Sequence, residues 1–298
     1  MAFRDLPRLK SLLRCPDTLR RVYWWGSRGY ALGSKRRIVQ ERSAFVFVSH
    51  DLPANYDQPD YASSNPYQQR SLELIDEYAD GLVVDLGAGN PQHSFPNVCQ
   101  VEIRKYPGTD IVVTEGRVPL AENSVDAVIS EAVLEHVQNP FVYVSEILRI
   151  LKPGGKVLLD TAFMQPLHGF PYHFFNTTAY AVRLLFEPFE IERLHVGPHQ
   201  HPWIALNWLL NSYYNGLADD EARRRFRSLS LGEAMDLLNE HQRQRTEIKQ
   251  HPDPRAVAAQ LKTFNDDHRA SLAPFLEITD ACQDEIAAGF QVFAKKAT

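Results

Sequence analysis

The stretch GLVVDLGAGNPQHSFPNVCQVEI, residues 81–103, decides the fold. An apolar run ends in Asp85 and leads into a G-x-G turn, a pattern typical of a buried strand that delivers the chain to a ligand. Pro91 and Pro96 then stand where the first helix of a nucleotide-binding unit usually runs. The stretch therefore predicts a strand and a tight glycine turn without that helix.

Around this stretch, strands and helices alternate along the chain. Buried strands are predicted at 81–87, 98–103, 109–113, 124–130, 155–163 and 190–196, with a last strand at 289–297 and an amphipathic helix at 139–152. Such alternation predicts an α/β fold with a seven-stranded, mostly parallel Rossmann-like sheet and helices on both faces. The residues at about 199–287 are predicted to be a helical insertion before the last strand and a candidate cap over the ligand site.

The glycine turn indicates a ligand without phosphates. Gly87 and Gly89 allow dihedrals that other residues resist and let the backbone approach a ligand closely. The third glycine of a dinucleotide fingerprint would fall at Gln92, so a nicotinamide or flavin cofactor is disfavoured. Glu102 ends the next strand, 17 residues after Asp85, where a carboxylate either binds both ribose hydroxyls or is simply solvated.

Three blocks of sequence resemble one family. They are VVDLGAGN at 83–90, VPLAENSVDAVISEAVLEHV at 118–137 and EILRILKPGGKVLLDTAFMQPLHGFPYHFF at 146–175. Together they resemble the class I S-adenosylmethionine-dependent methyltransferases and are most similar to the methyltransferase type 11 group. The resemblance covers about residues 66–196 and the last strand, and it implies S-adenosyl-L-methionine as the cofactor.

The resemblance also implies roles for single residues. The cofactor-binding residues that it implies are Asp85, Gly87, Ala88, Gly89, Asn90, Glu102, Ile103, Thr114, Glu115 and Glu131. Asp85 and the turn would hold the methionine amino and carboxylate groups. Glu102 would bind the ribose, with Ile103 beside the adenine. Thr114 stands where the family usually has an aspartate next to the adenine amine, and Glu131 would lie near the sulfonium.

The segment after the fifth strand is expected to face the transferred methyl group. Methyl transfer is an in-line displacement, in which holding the acceptor close supplies much of the acceleration and a general base helps a hydroxyl to attack. His168 and His173 are the candidate catalytic bases. Most of the 11 histidines in a chain of this kind are surface or structural groups, so the base is His168, His173 or neither.

Residues 1–60 are predicted to be a small β-rich segment ahead of the main domain at 61–298. In several relatives of the family, an N-terminal module carries a C-P-x-C pair that begins a zinc ribbon. Here LLRCPDT, residues 12–18, has Thr18 at the second position, and no second pair follows. Because structural zinc needs four Cys or His ligands, the segment is predicted to be a metal-free, degenerate ribbon.

Composition limits the kinds of partner and the cellular location that we expect for the protein. The chain of 298 residues has a net charge of -5, which does not favour nucleic-acid binding. No run approaches the roughly 18 apolar residues of a membrane span, and the basic N-terminus lacks the apolar run of a secretory signal. Cys15, Cys99 and Cys282 lie far apart, which fits a reducing, cytoplasmic location.

Two interpretations of function stay open at the level of sequence. One is an enzyme that methylates a small-molecule or glycan acceptor, with a hydroxyl as the expected target. The other is a non-catalytic binding or regulatory module, which the departures at Thr114, His173 and Asn176 favour. The apolar stretch WIALNWLLNSYY is predicted to pack against the sheet or against a second subunit, as in a homodimer.

Overall fold

The computed structural model of the protein describes residues 37–41, 44–48, 66–90, 95–113, 117–169, 172–271 and 282. Seven strands form one sheet in the order β1-β2-β5-β4-β3-β6-β7. The strands are β1 (Arg37–Glu41), β2 (Ala44–Val48), β3 (Val83–Leu86), β4 (Val98–Glu102), β5 (Ile111–Val113), β6 (Val125–Glu131) and β7 (Leu151–Asp160).

The five strands β3–β7 are the parallel core of this sheet. Numbered from β3, their spatial order is 3-2-1-4-5, which is the order of the Rossmann fold up to its fifth strand. The chain leaves β3 for β4 on one side and reaches β6 on the other, so the strand order reverses beside β3. The α/β fold with a parallel, Rossmann-like sheet is therefore confirmed, and of the seven strands predicted for it the described residues show these five.

Helices cover both faces of the core. The first compact unit, residues 1–163 and 169–195, contains α1 (Gln69–Glu77), α2 (Pro140–Ile150) and α3 (Ala179–Leu185). Successive residues of a strand point to opposite faces. Val83 accordingly packs with Leu74 and Ile75 of α1, whereas Val84 packs in the cluster that contains Ile147 and Ile150 of α2.

The crossing from the glycine turn to β4 is short. Residues 91–94 lie outside the described part of the chain, and residues 95–97, just before β4, form no helix. Asn97 is buried there and donates from Nδ2 to the carbonyl oxygens of Ile75, at 2.8 Å, and Tyr78, at 3.0 Å. These bonds satisfy carbonyl groups at the end of α1 that have no partner within the helix.

The N-terminal segment differs from its prediction. β1 and β2 form an antiparallel hairpin, and β2 continues the main sheet by pairing in parallel with β5. The described strands of residues 1–60 thus extend the sheet edge, and the likeness to a zinc ribbon is not supported. Cys15 and Thr18 lie outside the described residues.

The strand predicted at 190–196 is absent: these described residues adopt no regular structure. Ile191 packs against the cluster formed by Leu185 and Phe186 of α3 and its end, and most of its neighbours are exposed. The apolar residues of this segment therefore reflect partial burial of an irregular segment, not a strand. The strand predicted at 289–297 lies outside the described residues.

The second compact unit comprises residues 164–168 and 196–298 and contains the predicted helical section. Its described helices are α4 (Pro202–Gly216), α5 (Asp220–Ser228), α6 (Leu231–Ile248) and α7 (Pro254–Ser271). Tyr213 of α4 stacks on Phe226 of α5, with ring centroids 5.4 Å apart. Among the helices that the structure describes, none is long and apolar enough to span a membrane.

Candidate active site

Three carboxylates lie at one edge of the sheet. Asp85 is in β3, Glu102 ends β4 and Glu131 ends β6, and these three strands are neighbours. The parallel register pairs Leu86 with Val101, and Asp85 with a residue two before Glu131. The carboxyl ends of the strands therefore meet beside β3, where α/β sheets of this kind bind ligands.

The glycine turn is held tightly against β4. The backbone N–H groups of Gly87 and Ala88 both donate to the carbonyl oxygen of Val101, at 2.8 and 3.2 Å. Gly87 has φ +87°, and a Cβ placed there would lie 2.4 Å from Cγ2 of Val133. Gly89 has φ +60°. Since L side chains rarely adopt such φ values, and since Val133 fills the space, the turn requires glycine at 87.

Glu102 is bound to the turn and is not a solvated glutamate. Its Oε2 accepts a hydrogen bond from the backbone N–H of Gly89 at 2.8 Å, and its Oε1 accepts one from Ile103 at 2.6 Å. Burial raises the pKa of Glu102, and these backbone donors act in the opposite direction. Each carboxylate oxygen keeps acceptor capacity for a ligand.

Asp85 is the most deeply placed of the three carboxylates, with 5% of its surface exposed. The hydroxyl of Tyr67 donates to its Oδ2 at 2.6 Å. Burial raises the pKa of Asp85 to about 7; the Tyr67 hydrogen bond opposes this shift, and the charges of Glu131 and Glu102 add to it. A positively charged ligand group would favour the charged form of this carboxylate.

Two residues of this site were missed by sequence reasoning. Tyr67 precedes α1, and Ser71 lies in its first turn, where its Oγ donates to Oε1 of Glu131 at 2.7 Å. Both residues bring hydroxyl groups to carboxylates of this sheet edge. The four-residue spacing of the two hydroxyl groups, on one side of a helix start, is the signal that could have found them.

The positions of the remaining predicted cofactor residues say less about their roles. Asn90 is half-buried at the end of the described turn, and Ile103 is 52% exposed beside Glu102. Thr114 and Glu115 lie outside the described residues. The structure therefore brings together Asp85, Glu102, Glu131 and the turn, and leaves the predicted adenine side at Thr114 and Glu115 undescribed.

His173 lies in the first unit on a segment fixed to the loop after β6. The N–H of Phe174 donates to the carbonyl oxygen of Glu135 at 2.6 Å, and Nδ1 of His136 lies 2.6 Å from the carbonyl oxygen of Tyr172. Nε2 of His173 lies 3.1 Å from Oδ1 of Asn176. The segment thus has a defined conformation, and His136 serves it structurally.

His168, the other predicted base, belongs to the second unit. Its Nδ1 lies 2.9 Å from the carbonyl oxygen of Pro166, and its ring packs on Trp208 with centroids 4.9 Å apart. The two candidate bases therefore lie in different units and are not brought together within either one.

Residues 90–159 match the family model of the methyltransferase domain. This segment is therefore similar to the methyltransferase domain. It includes Glu102 and Glu131, whereas Asp85 and Gly87 lie just before the matched residues. The carboxylates and the glycine turn thus lie around the start of the matched segment.

Proteins similar to part of this chain are found in mycobacteria and other bacteria. An uncharacterized methyltransferase of Mycobacterium bovis is 41% identical over 64 residues, which are 21% of this chain and 25% of that protein. A demethylmenaquinone methyltransferase of Renibacterium salmoninarum is 30% identical over 108 residues, 36% of this chain and 39% of that protein. The chain therefore matches about a quarter of the length of the mycobacterial relatives.

Solved structures show a weaker similarity. A methyltransferase from Aquifex aeolicus that depends on S-adenosylmethionine is 14% identical, with a TM-score of 0.28, and the match covers 39% of this chain and 77% of that one. A similarity this weak does not support the fold assignment, which rests on the order of the strands in the sheet.

Proposed function

We propose that the protein transfers the methyl group of S-adenosyl-L-methionine to a small-molecule or glycan acceptor, with a hydroxyl as the accepting group. The observation that carries this proposal is the bond between Gly89 N–H and Glu102, which joins the glycine turn to the carboxylate on the next strand. One compact edge thereby offers backbone groups for an amino-acid tail and a carboxylate for a sugar.

The residues present fit the cofactor. The missing Cβ at Gly87 lets the turn pack closely against Val133, and Asp85 is a buried carboxylate suited to the ammonium of the methionine part. We assign Glu102 to the ribose hydroxyls, Ile103 to the adenine and Glu131 to the sulfonium side. Thr114 and Glu115 remain the proposed residues beside the adenine amine.

The proposed reaction is a direct displacement. The cofactor supplies a methyl group on positively charged sulfur. The acceptor oxygen forms its bond to the methyl carbon as the carbon–sulfur bond breaks, and the hydroxyl proton passes to a base, for which His168 and His173 are the candidates. Most of the protein's contribution is to hold the acceptor oxygen in line with the breaking bond.

Replacing Glu102 with glutamine should weaken cofactor binding by roughly tenfold or more, because one carboxylate oxygen that accepts charge-assisted hydrogen bonds is lost. Titration calorimetry with S-adenosylmethionine measures the effect. Glu122→Gln is a matched control, because the exposed Glu122 pairs with Arg117. Equal affinities of Glu102→Gln and the wild type would contradict the assignment of Glu102 to the ribose.

We expect alanine at the catalytic base, His168 or His173, to lower turnover without changing the affinity for the cofactor. Alanine at the other histidine should leave turnover unchanged. The readout is methylated acceptor detected by mass spectrometry, with cofactor affinity measured in parallel. His251→Ala, at an exposed position after α6, is the control. Wild-type turnover in both variants would remove both histidines as bases. Cofactor binding without any methylated acceptor would favour the non-catalytic module.

A further inference from the structure

Tyr67 contacts Asp85, but the sequence did not predict Tyr67 as a residue of the site. The two residues are 18 positions apart, and Tyr67 lies outside the matched methyltransferase domain at 90–159. The Tyr67 ring is fixed by an edge-on contact with Phe95, whose centroid is 5.7 Å away. Packing against Phe95 therefore orients the Tyr67 ring so that its hydroxyl reaches Asp85.

The direction of this hydrogen bond is settled by burial. Burial, and then the charge of Asp85, raise the pKa of Tyr67 far above its usual value, so its hydroxyl keeps its proton throughout the physiological range. Tyr67 is consequently the donor, and Asp85 is the acceptor. A hydrogen bond donated to a carboxylate stabilises its charged form.

Burial and the two neighbouring glutamates disfavour the charge of Asp85. The carboxyl group is buried, Glu131 lies at the end of β6 on one side, and Glu102 lies at the end of β4 on the other. Burial has the largest effect on the pKa of Asp85, and both glutamates raise it further. The Tyr67 hydrogen bond is the contact that lowers it.

We propose that Tyr67 is a positioning residue that keeps Asp85 available as an anion for the ammonium group of the cofactor. This inference rests on the proposed function, since the ammonium belongs to the methionine part of S-adenosylmethionine. Tyr67 itself touches Asp85 and needs no contact with the reacting atoms. Its removal acts through the charge of Asp85 and therefore depends on pH.

The test is Tyr67→Phe, which removes one hydroxyl and keeps the ring against Phe95. Tyr78→Phe is the matched control, because it removes the same hydroxyl just beyond the other end of α1. Calorimetry with S-adenosylmethionine is run from about pH 6 to about pH 9. We expect Tyr67→Phe to bind roughly fivefold more weakly at neutral pH and to approach wild-type affinity at the alkaline end, with Tyr78→Phe unchanged.

A second measurement does not require the cofactor. NMR titration of isotope-labelled aspartate carboxyl carbons in the free protein should show Asp85 of Tyr67→Phe ionising at higher pH than in the wild type. Coincident titrations, or an affinity loss that is the same at every pH, would overturn the role of Tyr67. If the wild type bound no cofactor at any pH, the proposed function would fail, while the NMR titration would still decide whether Tyr67 controls the charge of Asp85.

Discussion

Replacing Gly87 with valine should abolish binding of S-adenosylmethionine while leaving the domain folded. The backbone of Gly87 has φ +87°, and its Cβ would lie 2.4 Å from Cγ2 of Val133. The left-handed conformation alone costs about 1–2 kcal/mol for an L side chain. The turn must then move away from Val133, which displaces the backbone proposed to hold the amino-acid tail. Calorimetry measures binding, and circular dichroism with thermal unfolding verifies folding.

The Gly154→Val variant distinguishes the effect of backbone strain from the effect of the steric clash with Val133. Gly154 has φ +78°, but a Cβ there would meet nothing within 4 Å. This variant should lose stability by a similar backbone effect and still bind the cofactor. Combining Gly87→Ala with Val133→Ala should recover part of the affinity lost in Gly87→Ala alone. Wild-type affinity in Gly87→Val would refute the placement of the ligand at the turn.

The affinity for S-adenosylmethionine should rise with pH up to about 7. Because the pKa of Asp85 is about 7 in the free protein, the carboxyl group carries a proton at lower pH and must release it to pair with an ammonium group. Each pH unit below 7 therefore costs up to tenfold in affinity, or about 1.4 kcal/mol. Asp85→Asn should bind weakly at every pH and lose this dependence.

Asp126→Asn is the control for this experiment. Asp126 accepts from Leu82 N–H at 2.8 Å and from Lys152 at 2.6 Å, and it makes no contact with the three carboxylates of the site. Its replacement should reduce stability and leave the pH profile of binding in place. A profile that is flat in the wild type, or that persists in Asp85→Asn, would show that another group controls it.

The strands and the carboxylate edge were predictable because each depends on local sequence. Apolar runs such as 83–86 can be buried on both faces only in a sheet covered by helices, and the register of parallel strands then carries Asp85 and Glu102 to the same edge. The glycine at 87 marks the turn because its backbone conformation excludes other residues.

The partners of the carboxylates were not predictable from the same local patterns. Tyr67 and Ser71 reach Asp85 and Glu131 across 18 and 60 residues of sequence, and only the packing of α1 on the sheet brings them there. The strand predicted at 190–196 was wrong for a different reason. Its apolar residues are a local pattern, but a strand also needs a neighbouring strand with which to pair, and a local pattern does not show one.

Titration calorimetry of the wild-type chain with S-adenosylmethionine tests the central claim most directly. With Asp85, Glu102 and the glycine turn at one edge of the sheet, one cofactor should bind per chain at micromolar concentration, and its demethylated product should bind at the same site. The absence of binding heat with both ligands, in a chain verified as folded, would contradict the account.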